Sequence, residues 1–213
     1  MPRRILQLLI GLALYGFGCA LTISAGLGVD PWTVLAEGLS LRTGIGVGWM
    51  TNLLGAVVLL AWIPLHQHPG IGTLANIALV GTAMQATLAV VSTPSAPLPR
   101  IAMLAAGVVS VAVASGLYIG ARFGPGPRDG LMTGLNARFG TPIWLCRLGV
   151  EGSVLVLGWW LGGTVGIGTV VFAVCIGPLV HIALPLFDIP PDGTGAPVGV
   201  VSARGTARAR PLA

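Results

Sequence analysis

The sequence predicts an all-α membrane protein with six transmembrane helices, arranged as two inverted three-helix repeats that each carry a short interfacial or re-entrant helix. Three observations predict it: an apolar composition, six apolar runs of membrane-spanning length, and an internal repeat at one fixed offset. The 213 residues are 54% hydrophobic and only 8% charged, with a mean hydropathy of +0.92. A soluble domain carries about 25% charged residues. This chain has too little polar surface to cover itself in water, so lipid is its expected solvent.

The runs lie at roughly 5–25, 46–64, 72–91, 101–121, 143–161 and 166–187. Each is long enough to cross about 30 Å of hydrocarbon at 1.5 Å per residue. Breaker-rich stretches separate them, such as Ser92 to Arg100 with its prolines and Gly124-Pro125-Gly126-Pro127. Met1-Pro2-Arg3-Arg4 before the first run resembles a signal sequence. The run continues for a full span and others follow, so it reads as a retained first helix. Residues 1–91 form the first repeat, 92–187 the second, and 188–213 a tail rich in Pro, Gly, Ala and Arg, expected to be disordered and cytoplasmic.

Charge gives the orientation. The net charge is +5 and every basic residue is an arginine. With the N-terminus inside, Arg3, Arg4, Arg122, Arg128, Arg138, Arg147, Arg204, Arg208 and Arg210 fall in the cytoplasm, and only Arg42 and Arg100 outside. That asymmetry predicts that both termini are cytoplasmic. There is no basic stripe with interleaved aromatics on a soluble module, so nucleic acid is not an expected partner.

The repeat appears when the chain is slid on itself by 96 residues, with 19 identities over the 71 positions from Gly11 to Gly81. Ala25, Gly28, Pro31, Leu35, Gly38, Leu39, Arg42 and Gly44 fall on Ala121, Gly124, Pro127, Leu131, Gly134, Leu135, Arg138 and Gly140. Gly70-Ile71-Gly72-Thr73 falls on Gly166-Ile167-Gly168-Thr169. Apolar composition alone does not align an arginine, prolines and a glycine ladder. Three spans per copy is an odd number, so the second copy enters the membrane from the opposite face, a recurrent plan of transporters.

Between the first two runs of each copy sits a helix too short to span. Asp30 as N-cap, Pro31 at the first helical position and Gly44 after the end punctuate the first. Pro127 and Gly140 punctuate the second. About 12 residues make roughly 18 Å. Two readings stand: a surface helix whose arginine snorkels to water, or a re-entrant half-helix whose N-terminus favours an anion.

Ionisable residues near membrane depth are the candidate substrate-binding set, because burying such a charge costs about 2.5–3.5 kcal/mol on insertion scales. They are Asp30, Glu37, Arg42, Arg128, Asp129, Arg138, Arg147 and Glu151. Arg147 precedes Glu151 by one turn, so a local ion pair competes with a proton or substrate role. Asn52, Asn76 and Gln85 read as interhelical hydrogen-bond partners, any of which is also placed to line a pathway. Cys19, Cys146 and Cys175 read as small buried hydrophobes. His66 and His68 lack a third ligand nearby for a metal. No nucleophile, zinc or paired-carboxylate motif occurs, so no catalytic residue, cofactor or metal is expected.

The segments 25–40 (Ala-Gly-Leu-Gly-Val-Asp-Pro-Trp onward), 116–132 (with Gly-Pro-Gly-Pro-Arg-Asp-Gly) and 166–180 (Gly-Ile-Gly-Thr onward) resemble the YczE/YitT-type bacterial membrane proteins. The resemblance covers residues 1 to about 187 and implies a small integral protein of the plasma membrane. The functional expectation is a transporter-like protein moving a small solute, anionic in one reading; the alternative is a non-transporting accessory or scaffold subunit. Expected partners are the lipid bilayer and that solute, with a membrane-protein partner or homo-oligomer under the alternative.

Overall fold

The computed structural model describes residues 1–189, and the expected tail from 190 onward lies outside the described residues. Eight helices follow one another there: α1 Pro2–Ala25, α2 Pro31–Thr43, α3 Val47–Trp62, α4 Ile71–Leu88, α5 Pro97–Gly120, α6 Pro127–Phe139, α7 Ile143–Trp160 and α8 Ile167–Phe187. Helices α5 to α8 start 95, 96, 96 and 96 residues after α1 to α4. The offset read from identities is therefore also the offset of the elements.

Five helices, α1, α4, α5, α7 and α8, are individually long and apolar enough to cross a membrane. Helix α3 has 16 residues, about 24 Å at 1.5 Å each, shorter than the run expected at 46–64. It stops before Pro64, which has no N–H with which to continue the helical hydrogen bonds. Helix α3 qualifies as a span only together with α2, from which it is bent by 113°. Both short helices form where the capping residues place them, each ending in a left-handed glycine: Gly44 at φ +77° and Gly140 at φ +66°.

Helices α1 and α5 form the centre and run antiparallel. The Arg4 Nε donates to Ala121 O at 3.0 Å, and Arg100 Nε donates to Ala25 O at 2.7 Å. Arg4 Nη2 reaches Arg122 O at 3.3 Å, as Arg100 Nη2 reaches Gly26 O at 2.6 Å. All four partners are related by the repeat offset, so each half closes the other by the same bonds. These arginines satisfy helix-end carbonyls that have no intrahelical donor. Around them lie Leu12, Cys19, Ala20, Met84, Val108 and Val111, all buried.

The Gly-Ile-Gly-Thr strings make a second reciprocal clamp. Gly72 N donates to Phe123 O at 2.9 Å, and Gly168 N to Leu27 O at 2.7 Å. Each string thus holds the loop that leads into the other half's short helix. Gly28 (φ +105°) and Gly124 (φ +112°) sit in those loops against Gly166 and Gly70. A side chain at either would be strained by its φ, and at Gly28 its Cβ would also come within 2.5 Å of Gly166 N.

The halves differ in how their last helices pack. Gly48 N donates to the Oε1 of Gln85 at 3.1 Å, and Asn52 Nδ2 donates to Thr82 Oγ1 at 3.1 Å, so α3 and α4 are cross-linked as expected. The repeat puts Trp144, Leu148, Pro178 and His181 at the corresponding places. Leu148 and Pro178 cannot rebuild the Asn52–Thr82 bond, and α7 and α8 make at most marginal contact. We expect Gln85→Ala to lower unfolding stability in detergent by about 1 kcal/mol, the worth of one interhelical bond; an unchanged midpoint would remove this bond from the packing account.

Beyond α8 the chain stays attached. Arg122 pairs with Asp188 through two bonds of 2.8 and 2.7 Å, and Ile189 N donates to Gly120 O at 3.2 Å. Hydrogen bonding to Asp188 raises the Arg122 guanidinium above its ordinary value. Charge pairing begins the segment expected to be disordered, so its first residues belong to the folded body.

Candidate functional site

Two short-helix N-termini converge beside α1, α3, α4 and α5. At the start of α2, Asp30 Oδ1 accepts from the backbone N–H groups of Trp32 and Thr33 at 3.2 and 3.3 Å, and Oδ2 accepts from the Thr33 hydroxyl. The first eight residues of α2, Pro31 to Gly38, are all buried. Helix α2 is thus enclosed by protein over its first two turns.

Arg128, the second residue of α6, crosses to this cap. Its Nη1 lies 3.2 Å from Asp30 Oδ1, and its guanidinium stacks 5.1 Å above the Trp32 ring. A cation over an indole face is attracted by the ring quadrupole. Asp129 accepts a 2.7 Å bond from the Tyr118 hydroxyl, and Tyr118 meets Tyr15 edge-on at 6.1 Å. Trp62 Nε1 donates to Pro127 O at 3.0 Å and fixes the start of α6. The cap of α6 is Gly126, which offers no side-chain acceptor.

A cavity of about 40 Å³ opens here, lined by Tyr15, Trp32, Thr51, Asn52, Leu54, Gly55, Val58, Asn76, Ile77, Val80, Tyr118 and Gly126 to Arg128. One water needs about 10–15 Å³ on that measure, so the cavity admits a small molecule. Two buried side-chain atoms lack a hydrogen-bond partner among the described residues, Trp32 Nε1 and Asn52 Oδ1. Both residues line the cavity.

The lining of the cavity is not repeated in the other half. In the repeat, Asn52, Asn76 and Tyr15 fall on Leu148, Phe172 and Val111; Phe172 and Val111 are buried hydrophobic residues of the core. Thr51, Gly55 and Gly126 fall on Arg147, Glu151 and Asp30, so the corresponding positions carry different chemistry.

Of the residues expected from sequence, Asp30, Arg128 and Asp129 come together at this site. Glu37 lies two turns further along α2, where its Oε2 accepts from Thr164 N at 2.9 Å. Arg42 and Arg138 are exposed in the last turns of α2 and α6, at the far ends from the site. Arg42 donates to Leu161 O at 3.3 Å. Arg147 and Glu151 form a 3.0 Å pair along α7, the local ion pair the spacing allows. Trp32, Tyr15 and Tyr118 were not expected. The signal for them was present: each is a place where the repeat fails to match, facing Arg128, Val111 and Thr22.

Fold and site together define a multi-pass membrane protein, helical throughout its described core, with a small cavity set beside two short-helix N-termini. The chain matches a family of unknown function, DUF6198, over residues 2–185, and it belongs to that family of YczE-type membrane proteins. It is 39% identical over 177 residues to an uncharacterized protein of Haemophilus influenzae, covering 83% of this chain and 81% of the relative. It is 30% identical over 177 residues to the uncharacterized membrane protein YczE of Bacillus subtilis, covering 82% of each chain. Identity to the uncharacterized protein YyaS of the same organism is 27% over 183 residues, 84% of this chain and 91% of the relative. No solved structure matches.

Proposed function

We propose that the protein is a small-solute transporter of the bacterial plasma membrane, built as two inverted repeats with both termini cytoplasmic. The observation that carries the reading is the convergence of two short-helix N-termini on one cavity between the repeats. Half-helix ends at a repeat interface are where secondary transporters hold their solutes. The reciprocal bonds of antiparallel α1 and α5 support inversion: if both cross the bilayer, the axis relating the halves lies in the membrane plane. In this arrangement α2 and α6 are re-entrant half-helices whose N-termini meet at the cavity.

Two measurements test it. Single cysteines at Arg42→Cys and Arg138→Cys, in a chain with its native cysteines replaced by serine, should label with an impermeant maleimide from opposite membrane faces. Labelling from one face would remove the inversion. Reconstituted vesicles should show solute uptake above empty vesicles, lost in Arg128→Ala that remains monodisperse. Vesicles that move nothing across a broad panel of small solutes would favour an accessory subunit instead.

A further inference from the structure

We infer that Glu37 is a proton-binding site, set in the seam where the first repeat meets the second. The site itself follows from packing and charge; only its use, coupling solute movement to a proton gradient, rests on the transporter reading.

Charge is the first consideration. The described residues hold five carboxyl side chains, and three of them pair with an arginine: Asp30 with Arg128, Glu151 with Arg147 and Asp188 with Arg122. Asp129 accepts from the Tyr118 hydroxyl and adjoins Arg128 in sequence. Glu37 is 9% exposed, and among the described residues its one hydrogen bond comes from a backbone group, Thr164 N–H at 2.9 Å. The elements packed around it do not supply the missing charge. On α2 itself Arg42 turns to Leu161 O. Asp30 lies two turns earlier on the same helix face, a like charge that Arg128 already neutralises. On α7, Arg147 and Glu151 satisfy each other. Helix α3 and the loop 161–166 carry no ionisable side chain. A carboxylate enclosed without a counter-charge is so costly that the group takes up a proton instead.

The second consideration is what the proton moves. Thr164 belongs to the loop between α7 and α8. That loop is tied to α2 and its entry by three bonds: Thr164 N to Glu37, Val29 N to Thr164 O at 3.4 Å, and Arg42 to Leu161 O. The next residue, Gly38, presses on the same seam, where a Cβ would lie 2.6 Å from Gly158 O. An ionised acceptor holds an N–H about twice as strongly as a neutral one. Proton uptake at Glu37 therefore loosens the tie between the halves, and proton release tightens it. The frame common to both repeats does without this carboxyl. Its counterpart is Thr133, whose hydroxyl bonds to Gly130 O of its own helix.

The test is infrared titration of the detergent-purified full chain, in an ester-free detergent, from neutral to alkaline pH. An un-ionised carboxyl has a carbonyl band apart from those of carboxylates and the amide backbone. At neutral pH the protein should show this band and lose it on alkaline titration. Glu37→Gln should lack it, while Asp129→Asn and Glu151→Gln should keep it. Glutamine reproduces the size and neutrality of the protonated acid, so Glu37→Gln should elute as the native chain does. A native chain without the band at neutral pH would overturn the inference. So would a band that persists in Glu37→Gln, or a Glu37→Gln chain that aggregates. A Glu37 band in a protein that moves no solute would leave this inference standing and remove the transporter reading; solute uptake without the band would do the reverse.

Discussion

Asp30→Ala is expected to destabilise the protein by about 3–5 kcal/mol, the loss seen when one partner of a buried ion pair is removed. Asp30 is only 3% exposed and holds two obligations at once. Its carboxylate caps α2 through Trp32 and Thr33 N–H, and it neutralises Arg128 across the site. Asp30→Asn separates them. Asparagine is as good a cap as aspartate, so that variant should retain α2 while leaving the guanidinium uncompensated, with a smaller loss. Adding Arg128→Ala to Asp30→Ala should cost less than the sum of the two single changes, because the second removes the stranded charge. Chemical unfolding of the four proteins in detergent measures all of this. Additive losses would mean that the pair is not coupled, and that the bridge between α2 and α6 contributes little.

The second large effect is steric. A Cβ on Gly158 would lie 2.5 Å from Leu35 N and 2.6 Å from Leu35 Cα. Both are backbone atoms of α2, which no rotamer change can move aside. Gly158→Ala should therefore force α7 off α2 and cost about 1–3 kcal/mol or more. Gly152, on the same helix, has no neighbouring atom within 4 Å of its would-be Cβ. There alanine should be neutral or stabilise by up to about 1 kcal/mol, from helix propensity alone. Equal midpoints for the two variants would show that α2 and α7 do not approach as closely as described. The pair also probes the proposed chamber, since α7 supports α2 from behind.

Much of the fold was legible in the chain. The short helices begin at Pro31 and Pro127 because a capping residue and a proline fit only that position, and they end at glycines that tolerate a left-handed turn. Local chemistry of this kind does not depend on the rest of the structure. The offset of 96 carried over to the elements for the same reason. Within the candidate site, Asp30, Arg128 and Asp129 were legible because charge in an apolar chain demands a reason. Arg42 and Arg138 met the same criterion, yet they are exposed at the far ends of their helices, a distinction that composition does not encode.

What the sequence by itself determined is a helical membrane chain made of two copies of one pattern, because hydropathy, capping and repetition are written in neighbouring residues. Only the tertiary structure decided that the copies are unequal at the centre. Asn52 and Asn76 line a cavity whose equivalents in the other copy are Leu148, exposed, and Phe172, buried, and Trp32 keeps an N–H without a partner among the described residues. Hydrogen-bond satisfaction and empty volume depend on which side chains meet across helices far apart in the chain, and those meetings exist only once the chain has folded.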